Sequence, residues 1–238
     1  MKKVVLDTYE EVCRAVADIY TEQLTKKPDS ILGLATGSTP VGLYEELVRR
    51  HRAGELDFSK ARSFNLDEYY PISKSHPQSY DYFMRENLFD KINIGQYALP
   101  NGEAGDPEAE CAGYDAAIEA AGGIDLMLLG IGHNGHIGFN EPSVSYSLGT
   151  YLVDLTESSL KANSRFFGPD TPQPTRALTM GLGSILNSRR IVLMICGASK
   201  APIAGRLFEG KVHSDVPASF LLLHPDTTIF LDKEANGG

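Results

Sequence analysis

Four loops in this sequence carry residue types that can move protons on a small anionic molecule. The densest is Gly130-Ile131-Gly132-His133-Asn134-Gly135-His136-Ile137-Gly138-Phe139-Asn140-Glu141-Pro142. Its glycines let the backbone turn tightly and leave little bulk around His136, and Glu141 follows five residues later. A histidine oriented by a carboxylate can take and return a proton near neutral pH. A lone histidine is more often structural; His, Asn and Glu together at a glycine-rich strand end favour chemistry. His133 and His136 also raise the question of a metal, but no third ligand follows at helix or hairpin spacing, so none is expected.

The other three loops are sparser. In Asp67-Glu68-Tyr69, at the carboxyl end of an apolar strand, one of the two acids could be a general base, although an isolated acid so placed is more often a helix cap or half of a solvated pair. Gly37-Ser38-Thr39-Pro40 precedes a helix, with Thr39 as the expected N-cap and Pro40 as the first helical residue. Unpaired amides beside a glycine attract phosphate, and the same residues would serve equally well as an ordinary capped turn. The loop fits neither a Walker motif nor GxGxxG, so ATP and NAD are not indicated. Lys200, near the start of a later helix, and Arg165, among apolar neighbours, are candidate cations for the same anion. A surface lysine would look no different. With no GxSxG nucleophile, the remaining chemistry is proton transfer on a phosphorylated sugar, in which one station shifts a proton between adjacent carbons and another opens the ring.

The elements that would hold these loops alternate between apolar strands and helices. Residues 8–25 place Val12, Val16, Ile19, Tyr20 and Leu24 on one stripe behind Asp7 or Thr8 as cap, and Asp106-Pro107 opens another helix. Apolar runs at 31–34, 63–66, 125–129, 191–196 and 228–231 are each followed by a loop or helix, or close the chain. This predicts an α/β fold: a single domain over 1–238, three-layered, with a mostly parallel Rossmann-like sheet and helices on both faces. Ligands in such sheets bind at the carboxyl ends of the strands.

Composition sets limits. A net charge of −9 over 238 residues argues against a nucleic-acid partner, and 42% hydrophobic with 22% charged residues indicates a packed chain rather than a disordered one. Cys13, Cys111 and Cys196 form neither a disulfide framework nor a CxxC pair. The apolar patch before Asp7 is too short for a signal or membrane segment, so a cytoplasmic protein with no membrane partner is expected.

Leu34-Ala35-Thr36-Gly37-Ser38-Thr39-Pro40, Asn65-Leu66-Asp67-Glu68-Tyr69, the segment from Gly132 to Pro142, and Ala162-Asn163-Ser164-Arg165-Phe166-Phe167 together resemble, in order and spacing, the glucosamine-6-phosphate deaminases, over residues 31–232. The resemblance implies conversion of glucosamine 6-phosphate and water to fructose 6-phosphate and ammonium, with neither redox cofactor nor metal. It implies that Asp67 is the base between C2 and C1, that His136 opens the pyranose ring, and that Glu141 orients it. Gly37, Ser38, Thr39, Arg165 and Lys200 would hold the phosphate.

The sequence departs from the family pattern in two places. Asn134 stands where many members carry an aspartate beside the histidine, which shifts more of the histidine's support to Glu141. Tyr151 and Val153 occupy positions that are basic in allosteric members, and the chain ends at Gly238 without the longer C-terminus. Both point to a monomer that N-acetylglucosamine 6-phosphate does not activate. The competing expectations are a 6-phosphogluconolactonase, which hydrolyses an ester and needs no C2 base, and a non-catalytic sugar-phosphate sensor, which would normally carry a DNA-binding domain for which this chain has no room.

Overall fold

The computed structural model describes residues 1–163, 167 and 172–238. Arg165 lies outside them. Strands β1 (Lys2–Leu6), β2 (Ile31–Leu34), β3 (Arg62–Asn65), β5 (Gln96–Ala98), β6 (Leu126–Leu129), β9 (Arg190–Ile195) and β10 (Thr227–Asp232) form a seven-stranded sheet. Its order is β1-β10-β9-β6-β2-β3-β5, and every neighbouring pair is parallel. Helices flank it, as α/β patterning predicts. β2, β6 and β10 are buried along their whole length; β2 and β6 are apolar throughout, as suits a parallel strand covered on both faces, and β10 ends on Asp232, whose carboxylate accepts the Gly197 and Ala235 N–H groups. β1, at the edge, keeps Lys2 and Lys3 exposed.

The helices follow local rules where these are strong. In α1 (Tyr9–Lys26) the Thr8 hydroxyl accepts the Glu11 N–H, and Val12, Val16, Ile19, Tyr20 and Leu24 are buried. In α4 (Pro107–Ala120) Asp106 caps the Glu108 and Ala109 amides. The remaining helices are α2 (Val41–Arg52), α3 (Tyr80–Asn87), α5 (Glu157–Asn163), α6 (Leu182–Leu186) and α7 (Ala201–Leu207).

Two expectations need correction. Asp67 does not lie on a loop: β4 (Asp67–Tyr70) begins immediately after Leu66 and pairs antiparallel with β8 (Arg176–Thr179), which also pairs antiparallel with β7 (Tyr151–Asp154). Such short strands alternate no clear apolar pattern, so their pairing comes from partners far along the chain. Thr39 does not cap α2. Pro40 occupies the cap position in helical geometry with no side-chain cap bond, and the helix begins at Val41.

The strand order reverses between β2 and β6: β3 and β5 lie to one side, β9, β10 and β1 to the other. At such a switch the loops leaving two adjacent strands diverge and open a crevice. Here those loops are 35–40 and 130–136.

Candidate functional site

A cavity of about 670 Å³ opens at this switch point, lined by Thr36 to Thr39, Asp67, Tyr69, Tyr80, Asn134, His136, Phe139, Ser159 and Lys200, among others. The candidate residues from four separated segments thus meet at one rim. Gly37 turns the chain at φ +92°, a conformation that a side chain would strain.

Asp67 is held at the start of β4, buried beside Glu68. Burial, and then the neighbouring Glu68 carboxylate, push Asp67 up from 3.8 to about 8. Glu68 has a different fate. Its carboxylate accepts the Tyr69 N–H at 2.9 Å, the Tyr80 N–H at 2.8 Å and the Asp81 N–H at 2.9 Å, tying β4 to the first turn of α3. Burial raises it to about 7 against the pull of those amides. Two adjacent acids therefore divide: one is bound into the backbone, and the other faces the cavity.

The histidine turn closes on itself. Gly132 N–H donates to the His136 carbonyl at 2.9 Å, and Gly135 N–H to the Gly132 carbonyl at 3.0 Å. A Cβ on Gly132 would fall 2.3 to 2.5 Å from the His136 ring, so the imidazole lies directly over that glycine. His136 Nδ1 is 3.2 Å from Glu141 Oε1, within ion-pair reach though not aligned as a full hydrogen bond. Asn134 braces both: its Nδ2 donates to Glu141 Oε2 at 2.5 Å and its Oδ1 accepts the His136 N–H at 3.2 Å. The Ser159 and Thr156 hydroxyls donate to Glu141 Oε1. Burial works against ionisation of Glu141, but His136, Ser159 and Asn134 outweigh it and hold the carboxyl at about 2. The result is an ionised carboxylate fixed beside an imidazole, which is what a proton-shuttling histidine needs.

Lys200 ends a 3-10 turn (Ala198–Lys200) that precedes α7, and its Nζ donates to the Ile131 carbonyl at 2.8 Å. That bond fastens the cation to the loop leaving β6. Burial lowers its pKa. His133, beside it, contacts Ser199 Oγ through Nε2 at 3.2 Å. No group of three His, Cys, Asp or Glu suited to a metal occurs among the described residues.

Sequence reasoning missed several contributors. Tyr80 and Phe139 stack with centroids 6.3 Å apart, and Tyr69 packs 4.8 Å from Tyr80, building an aromatic wall along the cavity. Thr156 was also missed, as was the pairing of Ser159 with Glu141. Ser79, whose hydroxyl accepts the Tyr82 N–H, was the available signal for α3 and hence for Tyr80. Nothing local signalled that Ser159, 18 residues away, would meet the Glu141 carboxylate.

A family profile described as glucosamine-6-phosphate isomerases/6-phosphogluconolactonase matches residues 6–230. A glucosamine-6-phosphate deaminase of Thermoanaerobacter pseudethanolicus is 50% identical over 99% of this chain and 94% of its own. One from Clostridium botulinum is 47% identical over 99% of this chain and 97% of its own. The solved structure of a monomeric glucosamine-6-phosphate deaminase superposes with a TM-score of 0.96 at 44% identity, covering 99% of both chains. The 6-phosphogluconolactonase of Thermotoga maritima shares the fold, with a TM-score of 0.76 at 22% identity, covering 98% of this chain and 99% of its own.

Proposed function

The chain belongs to the family of glucosamine-6-phosphate isomerases and 6-phosphogluconolactonases, and we propose on that premise that it converts glucosamine 6-phosphate and water to fructose 6-phosphate and ammonium. Deaminases at 44–50% identity, against a lactonase at 22%, favour this branch over ester hydrolysis.

The phosphate is held by the amides and hydroxyls of Gly37, Ser38 and Thr39 with Lys200, and by Arg165. His136, supported by Glu141 and steadied by Asn134, transfers the proton that opens the pyranose to the free aldehyde. Asp67 removes the proton from C2 and returns it to C1, while a proton from the amino nitrogen reaches O1; C1 becomes a primary alcohol and C2 an iminium. Water adds to that iminium and ammonia departs as ammonium. No redox cofactor or metal takes part in this balance.

The observation that carries this reading is the division of labour between two acid–base stations on one cavity: a buried carboxyl raised to about 8, and a histidine beside a carboxylate held at about 2. The first suits carbon acid chemistry, where a base stronger than an ordinary carboxylate is needed, and the second suits oxygen protonation.

The test is a coupled assay for fructose 6-phosphate and ammonium from glucosamine 6-phosphate, run beside acid release from 6-phosphogluconolactone. Lactone hydrolysis without deamination overturns the reading, as does binding without turnover, which the sensor alternative requires. We further propose that the protein works as a cytoplasmic monomer, one unit over residues 1–238, without activation by N-acetylglucosamine 6-phosphate. The monomeric deaminase it resembles supports this, and no described helix is long and apolar enough to cross a membrane. Sedimentation as a larger species, or sigmoidal kinetics relieved by that effector, would contradict it.

A further inference from the structure

We infer that Tyr9, on α1 and outside the cavity, is a positioning residue for the turn that binds the substrate phosphate; this rests on the reading of residues 37–39 as the phosphate site. The Tyr9 hydroxyl donates to the Thr39 carbonyl at 2.8 Å and accepts the Gly42 N–H at 2.8 Å. Gly42 is the second residue of α2, whose N-terminal cap supplies no side-chain bond of its own. An N-cap side chain normally accepts an amide at the second or third helical position. Tyr9 performs that task from 33 residues away.

The arrangement has two electrostatic consequences. The Thr39–Pro40 peptide has an acceptor and no donor, because proline lacks an N–H. A free carbonyl there would oppose an anion. Tyr9 does not line the cavity while Thr36 to Thr39 do, so the bond draws that carbonyl toward α1 and away from the site. Second, Thr39 is released from capping, and it lines the cavity instead. Burial pushes the Tyr9 hydroxyl above its ordinary range, so it remains a neutral donor through physiological pH.

Gly42 permits the contact. A Cβ there would lie 2.8 Å from Tyr9 Cε1, 2.9 Å from its hydroxyl oxygen and 3.0 Å from Cys13 Sγ. No residue with a side chain lets the start of α2 approach α1 this closely, although its backbone is ordinary helix.

The test compares Tyr9→Phe, which keeps the ring and removes only the hydroxyl, with Gly42→Ala, which pushes the ring away, and Lys200→Met, which removes the cation. The readouts are kcat, KM for glucosamine 6-phosphate and the inhibition constant of inorganic phosphate. Tyr9→Phe should raise KM and the phosphate inhibition constant together by about tenfold with kcat within about twofold, since the interaction is with the non-reacting end of the substrate. Gly42→Ala should reproduce the paired rise. A purely structural role would lower thermal stability and active fraction without moving phosphate affinity. Unchanged phosphate inhibition in Tyr9→Phe, while Lys200→Met weakens it, overturns the inference and leaves the phosphate site standing. If none of the three variants weakens phosphate, the phosphate site itself is refuted and the inference falls with it.

Discussion

Asp67 and Thr179 stand opposite each other in the antiparallel register of β4 and β8, and the Thr179 hydroxyl accepts the Phe139 N–H at 3.1 Å. One side chain thus fastens β8, the partner of the strand that carries the candidate base, to the turn that carries His136. Gly138 completes the junction at φ +56°, where a Cβ would meet the Thr179 hydroxyl at 2.9 Å and Asp67 Oδ2 at 3.5 Å. The spacing between the two acid–base stations is therefore set by a residue in neither of them.

Replacing that hydroxyl should uncouple the stations. Thr179→Val keeps the shape but leaves the buried Phe139 amide unpaired, at a cost of about 1–3 kcal/mol in urea unfolding. It should also lower kcat about tenfold, because small displacements of a reacting group are expensive. Full stability with full kcat would show that the turn does not depend on this bond.

Asp67→Asn should stabilise the fold while abolishing turnover. The folded carboxyl titrates near 8 against an ordinary 3.8, so across that window the folded chain holds a proton that the unfolded chain releases. Stability then falls as pH rises through the window, and the amide removes this dependence. The variant should gain about 2–4 kcal/mol at pH 7 and almost nothing at pH 4. Turnover should drop at least about a thousandfold. Equal gains in thermal melts at both pH values would reject the origin assigned here.

The wild-type pH profile tests the same group in function. A base must be ionised to act, so kcat/KM should rise with pH along a limb governed by a carboxyl near 8, falling away as the medium becomes acidic. A limb confined to the ordinary carboxylate range would point to a different base.

Asn134→Asp converts a donor into an acceptor against Glu141. The 2.5 Å contact would join two carboxylates, and like charges at that distance favour keeping a proton. A second step should therefore appear on the acidic side of the pH–rate profile, below the one governed by Asp67, and an unchanged profile would reject the bracing role of Asn134.

Gly132→Ala places a methyl 2.3 to 2.5 Å from the His136 ring and must displace it. The expected result is a folded protein with kcat lowered about tenfold to a hundredfold. Deamination of the ring-opened fraction already in solution should suffer less than turnover of the closed sugar, which rapid-mixing kinetics can resolve.

The sequence alone determined the elements whose signals are local. The stripe and Thr8 cap of α1, the Asp106-Pro107 start of α4, and the continuous apolar strands β2, β6 and β9 all express backbone and solvation preferences felt within a few residues. The polar loops at strand ends were legible for the same reason, since polar residues and glycine after an apolar run have nothing to do in a core. Tertiary structure decided everything that depends on which distant groups meet. β4 became a strand because β8 lies beside it, Glu68 became a cap because α3 begins there, Tyr9 replaced Thr39 as the cap of α2, and Ser159 reached Glu141. A hydroxyl or carboxylate has no preferred partner written into its own neighbourhood. Its pairing is chosen when burial removes water as the alternative, and burial belongs to the folded chain as a whole.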